Sequence, residues 1–354
     1  MKLYILKRLL FIFPTLLGIL ALNFFIIQLA PGGPVEQIIA QLQGLESGNL
    51  QNISGVSTES IQKTDREEIG IDRELIREIE ESFGFDKPIG ERFFDMVTSY
   101  LVFDFGDSYF HNRSVTDLIV EKLPVSISLG LLSTLLIYLI SIPLGIVKAL
   151  YNGSKFDFYT SLIVIIGNSI PVFLFGIILI ILFSSGAFWE LFPLRGAFSD
   201  SFEQMTDWEK FKDWIWHFTL PVTALVIGSF ATMTLLVKNS FLDEIGKQYV
   251  ITAKAKGLNS SKILYKHIFR NAMLIVVAGV PSAIIGVFLT GSVLIEVIFS
   301  LDGLGLLGFE SILNRDYPVV FGTLYIFTLL SLVANLLSDL TYRAIDPRID
   351  FEKR

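Results

Sequence analysis

The chain has no cysteine. Disulfides, thiol nucleophiles and thiolate metal sites are therefore excluded. Histidine is nearly as scarce: His111, His217 and His267 lie far apart and show no metal-ligand spacing. Charged residues make up only 18% of the 354 residues and hydrophobic ones 52%, with a mean hydropathy of +0.60. Soluble domains sit well below that apolar balance. No G-x-x-x-x-G-K-[ST] phosphate loop occurs, so the chain has no ATP site of the usual kind. Ser/His/Asp, H-E-x-x-H and paired-carboxylate constellations at a plausible catalytic depth are also missing, which argues against an enzyme. The net charge of −7 argues against a nucleic-acid partner.

What the sequence does have is long apolar runs. A bilayer core of about 30 Å takes about 20 apolar helical residues. Six stretches approach that length: Leu9–Ala30, Val125–Val147, Phe158–Phe183, Phe218–Val237, Ala272–Phe299 and Val319–Leu337. The expected fold class is thus an all-α membrane protein with six transmembrane helices. The first run follows Lys2, Lys7 and Arg8 as a signal sequence would, but it exceeds the usual apolar core of about 7–15 residues. It ends in Ala30-Pro31-Gly32-Gly33-Pro34, which stops a helix rather than offering a cleavage site, so an uncleaved span is expected.

Basic residues orient these spans. With the N-terminus inside, the inner segments hold 16 of the 28 Lys and Arg but only 7 of the 35 acids. The outer segments hold the other 12 bases against 27 acids, and Glu296 sits within a span. Positive charge favours the inner side, so both termini are expected there. Four regions follow: residues 1–30 with the first span, an outer segment 31–122, a bundle of five spans over 123–342, and an inner tail 343–354. Within the outer segment, 41–70 reads as mobile loop. Asp72 to Gly84 and Pro88 to about Val102 read as helices. Trp189, Trp208, Trp214 and Trp216 fall in an outer loop, 184–216, as interface anchors. Gly303, Gly305 and Gly308 follow no strand and lack the Lys-Ser/Thr ending of a phosphate loop, so a short half-embedded outer hairpin is expected.

The inner connection from Lys238 to Asn271 is much longer than a membrane turn requires. Two short helices fit it. The first runs from about Phe241 to Lys256 and ends at Gly257, a residue type suited to a left-handed cap. The second starts near Asn259 or Ser260 and runs toward Arg270. Thr252, Ala253 and Ala255 are small enough for another surface to approach the backbone, and Lys254 and Lys256 add charge. From pattern alone, a basic helix lying on anionic lipid fits as well as a protein-docking loop.

Thr252–Gly257, TAKAKG, followed by His267–Asn271, HIFRN, resembles the coupling loop of ABC-importer permeases of the peptide and nickel group. The generic loop begins Glu-Ala-Ala; Ile251, Thr252 and Ala253 stand there instead, as in the peptide branch. APGGPVEQ, FGFDKP, FDFGDS, LPVSISLG, FPLRG and DPRIDFE extend the likeness over nearly the whole chain. They are similar to the Yej branch, importers of oligopeptides and the peptide-nucleotide microcin C. The resemblance implies a permease with its outer segment in the periplasm and its termini in the cytoplasm. It also implies a second permease chain, ATPase subunits that hold ATP and Mg, and a periplasmic peptide-binding protein. No cofactor is expected in this chain. Thr252, Ala253, Lys254, Ala255, Lys256, Gly257, Leu258, Arg270 and Asn271 would then meet the ATPase. Asn168, Ser169 and Pro171, at an expected kink in span three, and Glu296 near the outer end of span five are candidates for the passage or its gate. Helix packing and reach to the interface are the plainer readings of these four. A generic dipeptide, oligopeptide or nickel permease is the alternative. An ion-coupled transporter is disfavoured by the lack of paired mid-membrane charge.

Overall fold

A computed structural model of the chain describes residues 2–29, 86–286 and 292–345. The expected mobile loop at 41–70, the helix from Asp72 to Gly84, the APGGPVEQ stop and the DPRIDFE tail lie outside these residues. All regular elements among the described residues are helices, joined by irregular loops, one of which carries an isolated β-bridge between Asp107 and Ser114. Five helices are long and apolar enough to cross a membrane, and six spans result if one bent pair counts as a single crossing.

Helix α1 covers Lys2–Leu29, α2 Ile89–Leu101 and α3 Val115–Leu150. The bent pair is α4, Lys155–Ser169, and α5, Val172–Phe183, which meet at 95°. Pro171 causes the break: it has no amide hydrogen to donate and disfavours helical backbone at the residue before it. Ile170 accordingly takes φ −89°, ψ 121°. Helix α6 runs from Asp207 to Ile245. Its 39 residues reach about 59 Å, well beyond a bilayer core of about 30 Å. Its start is fixed by Glu209, whose carboxylate accepts from the Thr206 amide at 2.9 Å. Trp208, Trp214 and Trp216 therefore sit on α6, and only Trp189 occupies the preceding loop.

Helix α7 is Gln248–Ala255, and α8 is Ser260–Ile263. A π-helical turn, Leu264–Ile268, joins α8 to α9, Phe269–Ala278. The expected second loop helix is thus the beginning of span five, whose apolar helix extends over Ser260–Ala283. Helices α10, Val280–Gly286, α11, Ser292–Phe299, α12, Leu304–Leu313, and α13, Tyr317–Ile345, complete the chain.

The described residues divide into two compact units. The larger holds Val120–Phe309 with Met1–Phe13 and Ile326–Arg354. Its core includes Leu129, Phe218, Leu225, Val237, Phe241, Val250, Ala272, Val276 and Ile295. Lipid is as apolar as these side chains, so close packing rather than water exclusion holds such helices together. Two glycines on packed helices permit close approaches. A Cβ at Gly145 would lie 2.6 Å from Val237 Cβ, and one at Gly228 would lie 2.2 Å from Val172 Cγ2.

The smaller unit holds Pro14–Ile119 and Glu310–Tyr325. It centres on aromatic side chains: Tyr100 meets Phe105 edge-on at 4.9 Å and Tyr325 at 5.6 Å, and Phe24 meets Phe93 at 5.3 Å. The FDFGDS segment is its turn. Asp104 accepts from the Gly106 amide at 3.0 Å, and the Ser108 hydroxyl donates to buried Asp316 at 2.5 Å.

Candidate functional site

The Lys238–Asn271 region yields one short free-standing helix. Helix α6 continues past Phe241 to Ile245, and Gly246 caps it. Lys247 is extended, φ −75° and ψ 150°, so α7 begins anew at Gln248. The single helix expected from Phe241 to Lys256 is therefore two, broken at Gly246-Lys247. The expected end holds. Lys256 caps α7, and Gly257 takes φ +74°, the left-handed region that costs glycine no steric penalty. The Gly257 amide donates to the Lys254 carbonyl at 2.9 Å, and the Leu258 amide to the Ala253 carbonyl at 3.3 Å. Asn259 then caps α8, its side chain accepting from the Ser261 amide at 3.2 Å.

The two faces of α7 differ. Val250 and Ala253 are buried in the chain's own core, and Leu258 packs on the same cluster. Ile251, Thr252, Lys254, Ala255, Lys256 and Gly257 are exposed. This corrects the expectation for Ala253: its small size seats α7 on its own chain, and Thr252 and Ala255 are the small residues presented outward. Arg270 is exposed on α9, in line with Lys262 and Lys266 at four-residue intervals.

Polar contacts tie the root of α7 to its neighbours. The Tyr249 hydroxyl donates to Glu244 Oε2 at 2.6 Å, and Asn271 Nδ2 donates to the same hydroxyl at 3.3 Å. Lys247 pairs with Glu244 Oε1. Burial and the Glu244 carboxylate push the Tyr249 hydroxyl above its ordinary range, so it remains a donor at physiological pH. Nearby, Ser240 Oγ donates to the Ala272 carbonyl at 2.6 Å. Sequence reasoning named Asn271 but missed Glu244 and Tyr249. The signal was an acid and a phenol five residues apart across a glycine.

The candidates for the passage separate into two places. Asn168, Ser169 and Pro171 are exposed at the α4–α5 break, with Ser169 Oγ donating to the Ile165 carbonyl at 2.8 Å. Glu296 does not reach an interface; it is fully buried on α11. It accepts from Ser126 Oγ at 2.9 Å and from the Leu306 amide at 3.0 Å. Gly303 and Gly305 exist for this contact, since a Cβ at either would come within 2.5 or 2.8 Å of Glu296 Oε2.

A further buried charge cluster escaped the sequence reading. Asp157 accepts from Lys238 at 2.8 Å on both oxygens and from the Gly153 amide at 3.1 Å. Lys148 Nζ lies 3.1 Å from Asp157 Oδ1 and donates to Thr160 at 2.8 Å and Ser161 at 2.7 Å. The cluster joins the end of α3 and the start of α4 to α6. Among the described residues, no group of three or more acidic or histidine side chains is placed to hold a metal.

Residues 141–351 match the family of binding-protein-dependent transport system inner membrane components. The peptidoglycan transport system permease protein YejB of Agrobacterium fabrum is 58% identical, covering 99% of this chain and 99% of its own. The inner membrane ABC transporter permease protein YejB of Escherichia coli O157:H7 is 54% identical with the same coverage. The oligopeptide transport system permease protein AppB of Bacillus subtilis is 33% identical over 99% of this chain and 100% of its own. Among solved structures, an inward-facing MetNI methionine ABC transporter shares the fold at a TM-score of 0.52, with 18% identity, over 65% of this chain and 97% of that one. With a family match over more than half its length and relatives more than 50% identical over 99% of it, the chain belongs to the family of binding-protein-dependent transport system inner membrane components.

Proposed function

We propose that this chain is a peptide permease of the bacterial inner membrane, driven by a separate ABC ATPase that docks on α7. The carrying observation is α7 itself. It is a short helix between two spans, seated on its own core by Val250 and Ala253, with Thr252, Lys254, Ala255 and Lys256 exposed and Gly257 just past its end. A multi-pass subunit without a phosphate loop must receive energy by contact. In this reading α7 faces the cytoplasm with both termini, and Arg270 and Asn271 complete the docking surface. A second permease encloses the passage, and a periplasmic receptor delivers the cargo. ATP and Mg reside on the ATPase.

Peptides are the cargo class the named relatives support: one is an oligopeptide permease, and another is named for peptidoglycan, a glycan polymer cross-linked by peptides. Microcin C as cargo rests on motif likeness to the Yej branch alone. It is tested separately: a strain lacking the chain should lose peptide uptake, and resistance to microcin C would add that narrower substrate. Asn168, Ser169 and Pro171 are proposed to line the passage at the α4–α5 break. Glu296, held by Ser126 and Leu306, fits a latch for the adjoining turn better than an open gate.

The docking reading is tested by Gly257→Asp. A Cβ at Gly257 meets nothing within 4 Å, and Asp tolerates left-handed backbone better than most residues. The chain should therefore fold and insert, while bulk and negative charge block the partner. Uptake should fall to background at unchanged membrane abundance. Normal uptake at that abundance would sink the reading.

A further inference from the structure

Helix α7 has eight residues, fewer than the ~12–15 that sustain an isolated helix in water. It hangs between two joints, the extended Lys247 and the left-handed Gly257. At each joint the helical backbone is interrupted, so a push on α7 reaches the spans in full only if something further fixes its angle. The apolar contacts of Val250 and Ala253 hold it down but are not directional. Directional restraint comes from the Tyr249 hydroxyl, which meets Glu244 at the end of α6 and Asn271 on α9. Three elements thereby converge on one oxygen atom.

We infer that Tyr249, Glu244 and Asn271 form a positioning brace that makes α7 a rigid arm, passing its movement to α6 and α9 together. The inference deepens the docking reading and rests on it. A hydrogen bond to a carboxylate is about twice as strong as a neutral one, and its geometry is tight. Lys247 pairs with the other Glu244 oxygen and holds that carboxylate in place. Without the hydroxyl, α7 keeps its helix and its outward residues but can turn on its joints. ATPase closure would then be absorbed as slack rather than passed to the spans.

The test uses the complete importer in proteoliposomes, with its ATPase and receptor, and measures cargo moved per ATP hydrolysed. A Ser261→Cys chain, exposed beside α7 but outside the residues assigned to docking, carries a maleimide-benzophenone probe that reports docking, since the chain has no other cysteine. Tyr249→Phe, which removes only the hydroxyl, should keep the cross-link to the ATPase and keep hydrolysis within about twofold. Cargo per ATP should fall roughly tenfold, as expected for a lost charge-assisted bond. Glu244→Gln keeps an acceptor but loses the charge, so its cargo per ATP should fall between the parent and Tyr249→Phe, whereas Glu244→Ala should behave like Tyr249→Phe. Unchanged cargo per ATP in Tyr249→Phe overturns the brace and leaves docking intact. Loss of the cross-link in Tyr249→Phe also overturns it, because the hydroxyl would then shape docking rather than transmission. Absence of the cross-link in the otherwise unaltered chain overturns the docking reading, and the brace with it.

Discussion

Lys148 has no exposed surface, and the Asp157 side chain is only 9% exposed. Burying such groups costs more than their attraction returns unless every donor finds a partner. Here each does: Lys148 has Asp157, Thr160 and Ser161, while Asp157 also has Lys238 and the Gly153 amide. Removing the carboxylate alone leaves two lysines facing each other in a confined space. Asp157→Ala should therefore destabilise the purified chain in detergent by about 3–5 kcal/mol, read as a lowered unfolding midpoint. Replacing all three with apolar residues of similar volume should recover most of that loss. An unchanged midpoint in Asp157→Ala would show that the cluster contributes nothing to stability. In the sequence, Lys148 and Lys238 are simply two more basic residues at the ends of apolar runs. Their meeting at one aspartate depends on how α3, α4 and α6 cross, which no local pattern encodes. Glu296 is similar. An acid in an apolar run could be recognised as unusual, but its burial follows from Ser126, 170 residues away in sequence, and from glycines that clear space for it.

At the scale of elements, Gly228 shows how one absent side chain sets a helix crossing. A Cβ there would lie 2.2 Å from Val172 Cγ2, so α5 rests on α6 only because residue 228 has none. Gly228→Ala should cost about 1–3 kcal/mol by overpacking. Adding Val172→Ala, which removes the obstructing methyl, should return the unfolding midpoint toward the parent. Failure of the second change to compensate would place the strain elsewhere. Apolar runs located four of the spans. The third is instead a pair bent by 95°, and the fifth is an apolar helix over Ser260–Ala283 rather than Ala272–Phe299. Pro88 and Val102 bounded α2 to within a residue. Helix ends within the loop were harder. The sequence ends the second loop helix near Arg270, yet Lys262, Lys266 and Arg270 lie on one exposed stripe of a helix that continues into span five. Gly246 marked the end of α6, but the helical pattern resumes two residues later and masks the break. The cap at Gly257 and the N-cap at Asn259 were legible because each depends on one residue's own backbone or side-chain chemistry.

Charge is divided unevenly along the sequence, and the proposed orientation rests on that asymmetry. In the expected topology, the segments grouped with α7 hold 16 of the 28 bases, and the alternate segments hold 27 of the 35 acids. If lysine and arginine resist translocation, α7 lies in the cytoplasm and the loop before α6 lies in the periplasm. The absence of cysteine makes this directly measurable, because any introduced thiol is the only one present. Ser201 and Lys254 are both exposed, on opposite ends of this scheme. Ser201→Cys should react with a membrane-impermeant maleimide once the outer membrane is made leaky. Lys254→Cys should react only after the inner membrane is opened. The reverse pattern would place α7 in the periplasm, beyond reach of any cytoplasmic ATPase. Both the docking reading and the Tyr249 brace would then fall, however well their local geometry fits. Topology therefore ranks above local geometry as a condition for this mechanism, and the two thiols test it before any transport is measured.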